Sequence, residues 1–533
     1  MLLFLWLGSA FAGEVHEGNH YYFGDLHAHT GASSDGGSSD LGACDASQTC
    51  GAVSEVVAAT RAEGLDFFAI TDHANGGRAS SSDEDFETVI QAVVAGNDPG
   101  SFITIPGAEV FFTLADRTRL GHKDLLLFGD DETLTAFTRS DAQHDGAENK
   151  EISSCEAIDG YMTDIQATWG DALLIPHHPA AVQPMPTDWS CHFPAWSPAV
   201  ELYSSHGNSR SYDATYDPLG RGPNLSGTVH AALNPDTHAL TLGFLGGTDS
   251  HDTSPGTTCT LDGVRSQNYG GGLTAVVMPE GESLSRAAIH SAIAERRTYA
   301  TSGVRIPVDL QVRVDGEAAG GLGEALTLTP DQTVSLSVGV PEGYRDEIQS
   351  VTLVSSDAEV AIAVDADQRW TWSAVASDAP GWAYVMLVVD GEAHYDGVGC
   401  EDGGDSAEER IWLSPNWFEV EAEDTGDPGD TGDTGDTGDT GEPVDTGDTG
   451  DPGDITPPVV SDVTKDQRGP SHRIGFNTDE PATAEICTDR GRCASSELGT
   501  EHSVIFLTIL SSNFTITATD EAGNISSAGP FDL

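Results

Sequence analysis

Seven short, almost unbroken apolar runs constrain this chain more than anything else in it. They are "LDFFAI" (65–70), "SFITI" (101–105), "DLLLF" (124–128), "ALLI" (172–175), "AVELY" (199–203), "LTLGFL" (240–245) and "LTAVVM" (273–278). A strand with one wet face alternates apolar and polar residues, whereas a strand buried on both faces reads as a continuous run. Between the runs, stretches at 53–63, 84–95, 156–169 and 284–297 carry apolar residues at helical spacing. The alternation predicts an α/β domain over residues 13–303 with a parallel, barrel-like sheet.

Beyond Ser302 the texture changes. "VDLQVRV", "TVSLSVGV", "SVTLVSS" and "AYVMLVV" alternate with period two between Gly/Asp turns. Residues 304–420 therefore read as a β-sandwich. Residues 421–455 hold a "DTGDTGDTGD" repeat, and within 424–454 the only large apolar residue is Val444. Such a segment buries nothing and repels itself, so it reads as a disordered acidic linker. Residues 456–533 form a last all-β module, in which "HRIGFNTDEPATAEICTD" is expected to fold as a strand pair. Its "ATDEAGN" ending resembles the immunoglobulin-like and fibronectin-like modules appended to bacterial secreted enzymes.

The 533 residues include 86 acidic and 23 basic side chains, for a formal charge of −63. That excess repels polyanions and argues against nucleic acid or an anionic membrane as a partner. The N-terminal "MLLFLWLGSAFAGEV" ends its apolar core at Ala10-Phe11-Ala12, so residues 1–12 read as a signal peptide, although no Lys or Arg precedes the core. A buried N-terminal strand is the alternative. No other apolar segment reaches membrane-spanning length. Eight cysteines, an even count, fit an oxidising, extracytoplasmic compartment. The close pairs Cys44/Cys50 and Cys487/Cys493 are the expected disulfides. The sequence leaves the pairing of Cys155, Cys191, Cys259 and Cys400 open.

The apolar runs end in metal-ligating residue types. His27 and His29 stand at i and i+2, which on an extended strand end places both imidazoles on one side. One such pair is weak evidence. It gains weight from Thr71-Asp72-His73 after "LDFFAI", Glu109 in "PGAE", His122 in "RLGHKDLLLF", His177-His178-Pro179 after "ALLI", and Asp249 and His251 in "GGTDSHD". In parallel α/β folds the carboxyl ends of the strands share one face, so these residues would converge. Imidazole and carboxylate without thiolate suit Zn, Mn or Fe better than Mg or Ca. Asp72 is placed to orient a ligand or manage a proton. His206 and Arg210 are candidates for gripping an anionic leaving group.

Together, "DLHAHTGASSDG", "AITDH", "PGAE", "IPHHP" and "GGTDSHD" resemble the motifs of the PHP (polymerase and histidinol phosphatase) superfamily over residues 21–300. The order of barrel, "RRTYATSG" and β-sandwich is similar to its secreted, carbaryl-hydrolase-like branch. The resemblance implies a distorted (β/α)7 barrel holding two or three divalent ions. His27, His29 and Asp249 would hold the first. Glu109 would bridge to a second, bound by His122 and His178, with His177 beside it as a substrate contact. Asp35, His73 and His251 would hold a third. Glu109, Asp72 and His177 are the candidate catalytic groups. The expected protein is a secreted or cell-surface bacterial hydrolase acting on a small-molecule phosphoester, with its C-terminal module serving attachment. Carbamate, ester or amide hydrolysis is the alternative chemistry, and a non-catalytic surface binding protein on a degenerate barrel the alternative class.

Overall fold

The apolar runs fold as strands and the helically spaced stretches as helices. The computed structural model describes residues 13–33, 53–62, 64–74, 83–114, 119–143, 151–152, 154–181, 186–211, 224–235, 237–251, 256, 271–390, 408–421, 458–468, 471–488, 493–507, 513–520 and 525–532. The chain divides into two compact units, Met1–Asp427 and Pro428–Leu533. Among the described residues no helix is long and apolar enough to cross a membrane.

In the first unit Phe67–Ile70 pairs in parallel with Asn19–Asp25 on one side and with Ile103–Leu114 on the other. Gly243–Gly246 pairs in parallel with Ala199–Ser204. Other neighbours are antiparallel: Leu273–Pro279 with Asn19–Asp25, Ile103–Leu114 with Arg119–Leu127, and Arg119–Leu127 with Ala172–Pro176. The expected parallel sheet is thus a mixed one. Connection length is the reason. Only residues 115–118 separate Ile103–Leu114 from Arg119–Leu127, and a parallel neighbour needs a crossover of about a dozen residues or more.

The helices follow their apolar spacing. Asp83–Ala95 buries Phe86, Val89, Ile90, Val93 and Val94, and carries Asp83, Glu84 and Asp85 in its first turn, where the helix dipole favours negative charge. Glu156–Trp169 buries Ile158, Tyr161, Met162 and Ile165. Cys155, at its N-terminus, is disulfide-bonded to Cys191, a pairing the sequence left open. Cys44 and Cys50 lie outside the described residues. Cys487 and Cys493 stand directly opposite each other in antiparallel register.

Past residue 303 a four-stranded sheet runs in the order Glu317–Gly320, Asp309–Val314, Thr333–Gly339, Trp370–Val375. The other sandwich strands do not form a sheet of their own. Glu408–Leu413 pairs with Thr298–Thr301, matching Tyr299 to Leu413 and Ala300 to Trp412, so one sheet continues across position 303/304. The core is shared in the same way. Tyr21, Phe23 and Tyr299 pack with Val308, Leu336, Leu387 and Ile411. The buried Tyr299 hydroxyl donates to Ile306 O (2.8 Å) and accepts from Val308 N (3.3 Å).

In the second unit Ser471–Thr488 is a single 18-residue strand rather than the expected pair. Its register is irregular between Asn477 and Ala484, a stretch that includes Pro481, which has no N–H for the ladder. One half pairs with Val460–Arg468 and the other with Asn513–Asp520, while Cys493–Leu507 follows it along both. Ile474, Phe476, Ile486, Phe514 and Ile516 form the core.

A fragment of residues 13–421 should therefore unfold in one cooperative calorimetric transition. A fragment of residues 13–303 would leave Tyr21, Phe23 and Tyr299 without their packing partners and should show none. A cooperative transition of the shorter fragment near that of the longer one would contradict the shared core.

Candidate metal centre

The strand ends that carry the ligand types lie side by side because the hydrogen-bond ladder extends past the regular strands. His29 N donates to Ser250 O (2.9 Å) and Asp249 N to His27 O (2.8 Å). Thr71 N donates to Ala28 O (2.9 Å), Glu109 N to Thr71 O (3.0 Å) and Ala74 N to Glu109 O (2.9 Å). His177 N reaches His122 O at 3.4 Å. Segments distant in sequence thus sit one strand spacing apart, roughly 5 Å. Their outward residues meet over the sheet end.

What meets there is a buried cage. His27 Nε2 and His29 Nε2 lie 3.3 Å apart, and each lies 3.3 Å from Asp249 Oδ1. Glu109 stands at the centre with its two oxygens turned to different neighbours. Oε2 faces His29 Nε2 (3.2 Å) and His73 Nδ1 (3.1 Å), while Oε1 contacts His122 Nδ1 and lies 3.4 Å from His177 Nε2. Four further sets of ligand atoms converge closely enough to share an ion: His29, His73 and His251; His122, His177 and His178; His27, Glu109 and His177; and His27, Asp124 and Glu201. His178 (φ 33°) and Asp249 (φ 50°) hold left-handed backbone, which non-glycine residues adopt sparingly and which functional sites tend to concentrate.

Electrostatically the cage demands positive charge. Burial alone would raise the Glu109 carboxyl, but the imidazoles of His73, His122 and His177 outweigh it and hold the group well below the usual range. Burial would raise Asp249 likewise, and His27, His206 and His251 hold it well down. Burial disfavours the His29 imidazolium, yet Asp249 and Glu109 lift that group to about 10. On the other side of the cage, burial and then the neighbouring His27 push His177 down to about 3.

A divalent ion fits these residues. His177 is 1% exposed and neither of its ring nitrogens has a hydrogen-bond partner; His178 Nδ1, in a residue 3% exposed, has none either. A buried polar atom left in that state costs about 1–3 kcal/mol. Coordination removes the cost. The donor set of imidazoles and carboxylates matches Zn, Mn or Fe.

The structure therefore gathers His27, His29, His73, Glu109, His122, His178, Asp249 and His251, as the sequence led one to expect. Asp35 lies outside the described residues. His177, read as a substrate contact, stands instead within the ligand clusters beside His178. Asp72 faces away from a proton-handling position: Thr30 N (2.7 Å), Thr30 Oγ1 (2.6 Å) and Ser33 Oγ (2.9 Å) donate to its carboxylate. Ser33 Oγ in turn meets His29 Nδ1 (3.3 Å) and accepts from His73 N (2.8 Å). Asp72 thus positions two ligands through one serine. Arg210, a candidate for gripping a leaving group, donates from Nη1 to Glu359 of the sandwich (2.7 Å).

The sequence reading named His206 but missed three other residues of the site, Asp25, Asp124 and Glu201. Asp25 accepts from His27 N (3.1 Å), Thr248 N (2.9 Å) and Gly256 N (2.8 Å), clipping the His27 segment to the Asp249 segment. Burial raises this carboxyl to about 6. Asp124 and Glu201 lie buried beside His27. His206 Nε2 sits 2.8 Å from Asp249 Oδ2 and is partly exposed. The available signal was a charge inside an apolar run, in "DLLLF" and "AVELY", since a carboxylate in a strand buried on both faces needs a partner there.

His177→Ala and His178→Ala should each lower the metal bound per chain, measured by inductively coupled plasma mass spectrometry after dialysis against a weak chelator. His290→Ala, whose ring packs on Phe128 at 5.2 Å, should leave it unchanged. Full metal content in the His177→Ala protein would return that residue to a non-ligating role.

No known family model matches the chain, and no curated protein matches it. Among solved structures, a 1.5-MDa bacterial ice-binding adhesin aligns over 48% of this chain and 87% of its own at 13% identity, with a TM-score of 0.14. A β-glucuronidase of Ruminococcus gnavus aligns over 38% of this chain and 34% of its own at 11% identity, with a TM-score of 0.11. Superpositions this loose carry no argument about fold or activity.

Proposed function

We propose that the protein is a metal-dependent hydrolase of the PHP kind, acting on phosphoester substrates. The observation that carries the reading is the convergence of His27 Nε2, His29 Nε2 and Asp249 Oδ1, each 3.3 Å from the others. Three electron-pair donors at that distance, buried together, call for a shared positive charge, which a bound cation would supply. The motif order supports a distorted (β/α)7 barrel as the scaffold. So do the links Gly247 N to Tyr203 O (3.1 Å) and Ala180 N to Ser209 Oγ (3.3 Å), which continue the rim past His178 and back toward His27.

In this reading His27, His29 and Asp249 would hold one ion and His122, His177 and His178 a second, with Glu109 placed between the two sets. His29, His73 and His251 offer a third position, with Asp35 as the family's further ligand there. Bound divalent ions supply water ionised near neutral pH and neutralise charge growing on a phosphoryl oxygen. The protein's own residues do the rest. Glu109, with one oxygen on each side, fixes the separation of two ion positions. Asp25 and Asp72 hold the ligand segments in register without touching substrate. His206, 19% exposed at its side chain and fixed on Asp249 at 2.8 Å, offers a polar contact at the solvent side of the cage. The Cys155–Cys191 bridge supports a secreted or surface location. The C-terminal unit is read as the attachment module.

Purified protein should hydrolyse bis-p-nitrophenyl phosphate, lose that activity on removal of metal by a chelator, and regain it with Mn or Zn. His29→Ala and Glu109→Gln should each lower kcat/KM by roughly 100-fold or more, beyond the loss from an outer-shell partner. Activity confined to p-nitrophenyl acetate or a naphthyl carbamate would move the substrate class to esters or carbamates. Protein that takes up less than one metal per chain and is inactive on all three substrates would leave a binding module.

A further inference from the structure

We infer that Glu201 and Asp124 act together as a carboxylate clamp on His27, fixing the ring so that its Nε2 lone pair faces the metal cage. The inference rests on the metal centre proposed above and assigns positioning roles to two residues outside its ligand set.

The geometry is one-sided. His27 Nδ1 lies 2.9 Å from Glu201 Oε2 and 3.4 Å from Asp124 Oδ2, while its Nε2 points the opposite way, 3.3 Å from Asp249 Oδ1. An ionised carboxylate only accepts hydrogen bonds, so Nδ1 must carry the proton and donate it. In neutral imidazole the other nitrogen is then the free ligand. Carboxylates behind ligating histidines recur for this reason: they settle the tautomer and the ring orientation and raise ligand basicity.

Each carboxylate reaches the ring from a different strand. Glu201 lies in Ala199–Ser204, and Asp124 lies in Arg119–Leu127 directly opposite Glu109. The spot is built to admit them. Gly247 passes so close that a Cβ there would meet the Glu201 carboxylate and come within 2.8 Å of His27 Cβ. Leu26, Leu126, Ile175 and Leu245 close the surroundings, leaving a cavity of about 10 Å³.

Two buried carboxylates beside an imidazole also resemble an additional cation site. The cavity is at the lower limit for one water, so only a bare ion held directly by His27, Asp124 and Glu201 would fit there; the clamp assigns that position to the Nδ1 proton instead. Glu201 Oε1 and Asp124 Oδ1, both buried and without a hydrogen-bond partner, converge on the same cavity, where one water can bridge them.

The test is zinc titration of the full-length protein against a chromophoric chelator, with cobalt substitution read by its d–d absorption. Wild-type protein is expected to bind at least one zinc tightly. Glu201→Ala is expected to weaken zinc binding by roughly 10–100-fold and to shift the cobalt spectrum, with the melting temperature of the metal-free protein little changed. Glu201→Leu, close in volume but without an acceptor, should lose as much and stands in if Glu201→Ala does not fold. Asp124→Asn should give a smaller loss of the same kind. Wild-type protein that binds no zinc overturns the metal centre itself. Wild-type protein that binds zinc, beside a folded Glu201 variant with the same affinity and an unshifted cobalt spectrum, overturns the clamp alone.

Discussion

The carboxylate of Glu109 is the point on which this structure turns. It is 2% exposed and touches imidazoles brought by four separate segments: His29, His73, His122 and His177. A lone buried carboxylate is expensive, because removing an ion from water costs several kcal/mol even after relaxation. Surrounding it with ring nitrogens is how the fold meets that cost. The rest of the site follows from the need to deliver those rings to one place.

Delivery depends on backbone rather than on side-chain packing. Each ligand sits just beyond or within a strand whose neighbours are fixed by hydrogen bonds, so the imidazoles inherit the spacing of the sheet. Asp25 and Asp72 reinforce the two weakest joints, where the chain has left regular pairing. The sandwich contributes from outside. By pairing Glu408–Leu413 with Thr298–Thr301, and by Ser414 Oγ accepting from Phe244 N (2.9 Å), it braces the strand that leads into Asp249.

Much of this was legible in the sequence, and the gaps have physical causes. The strand positions could be read because a run buried on both faces has no polar alternation to disguise it. The ligands could be read because His27–His29, Asp72–His73, His177–His178 and Asp249–His251 are short and local. Direction could not: whether two adjacent strands run parallel depends on the connection between them, and the sequence between Leu114 and Arg119 carries no strong turn signal. Asp124 and Glu201 were hidden for the opposite reason, since each was absorbed as one polar letter in an apolar run. The His177–His178 pair invited a choice of one ligand. Left-handed backbone at His178 turns consecutive residues toward the same cage, which alternation along a regular strand would forbid.

Strain and unpaired polarity point the same way. Left-handed backbone at Asp249 and His178, orphaned nitrogens on His177 and His178, and two carboxylates aimed at one side of His27 are each unfavourable to the folded chain alone. A hydrophobic core tolerates none of them without return, yet they lie within a few ångströms of one another. Packing can be optimised residue by residue, but a cost shared by neighbouring residues implies a common partner. For groups that are all electron-pair donors, that partner is positively charged. Under the proposed function, ions bound in the cage would reverse the sign of the local field, so acidity elsewhere on the chain would not exclude an anionic substrate.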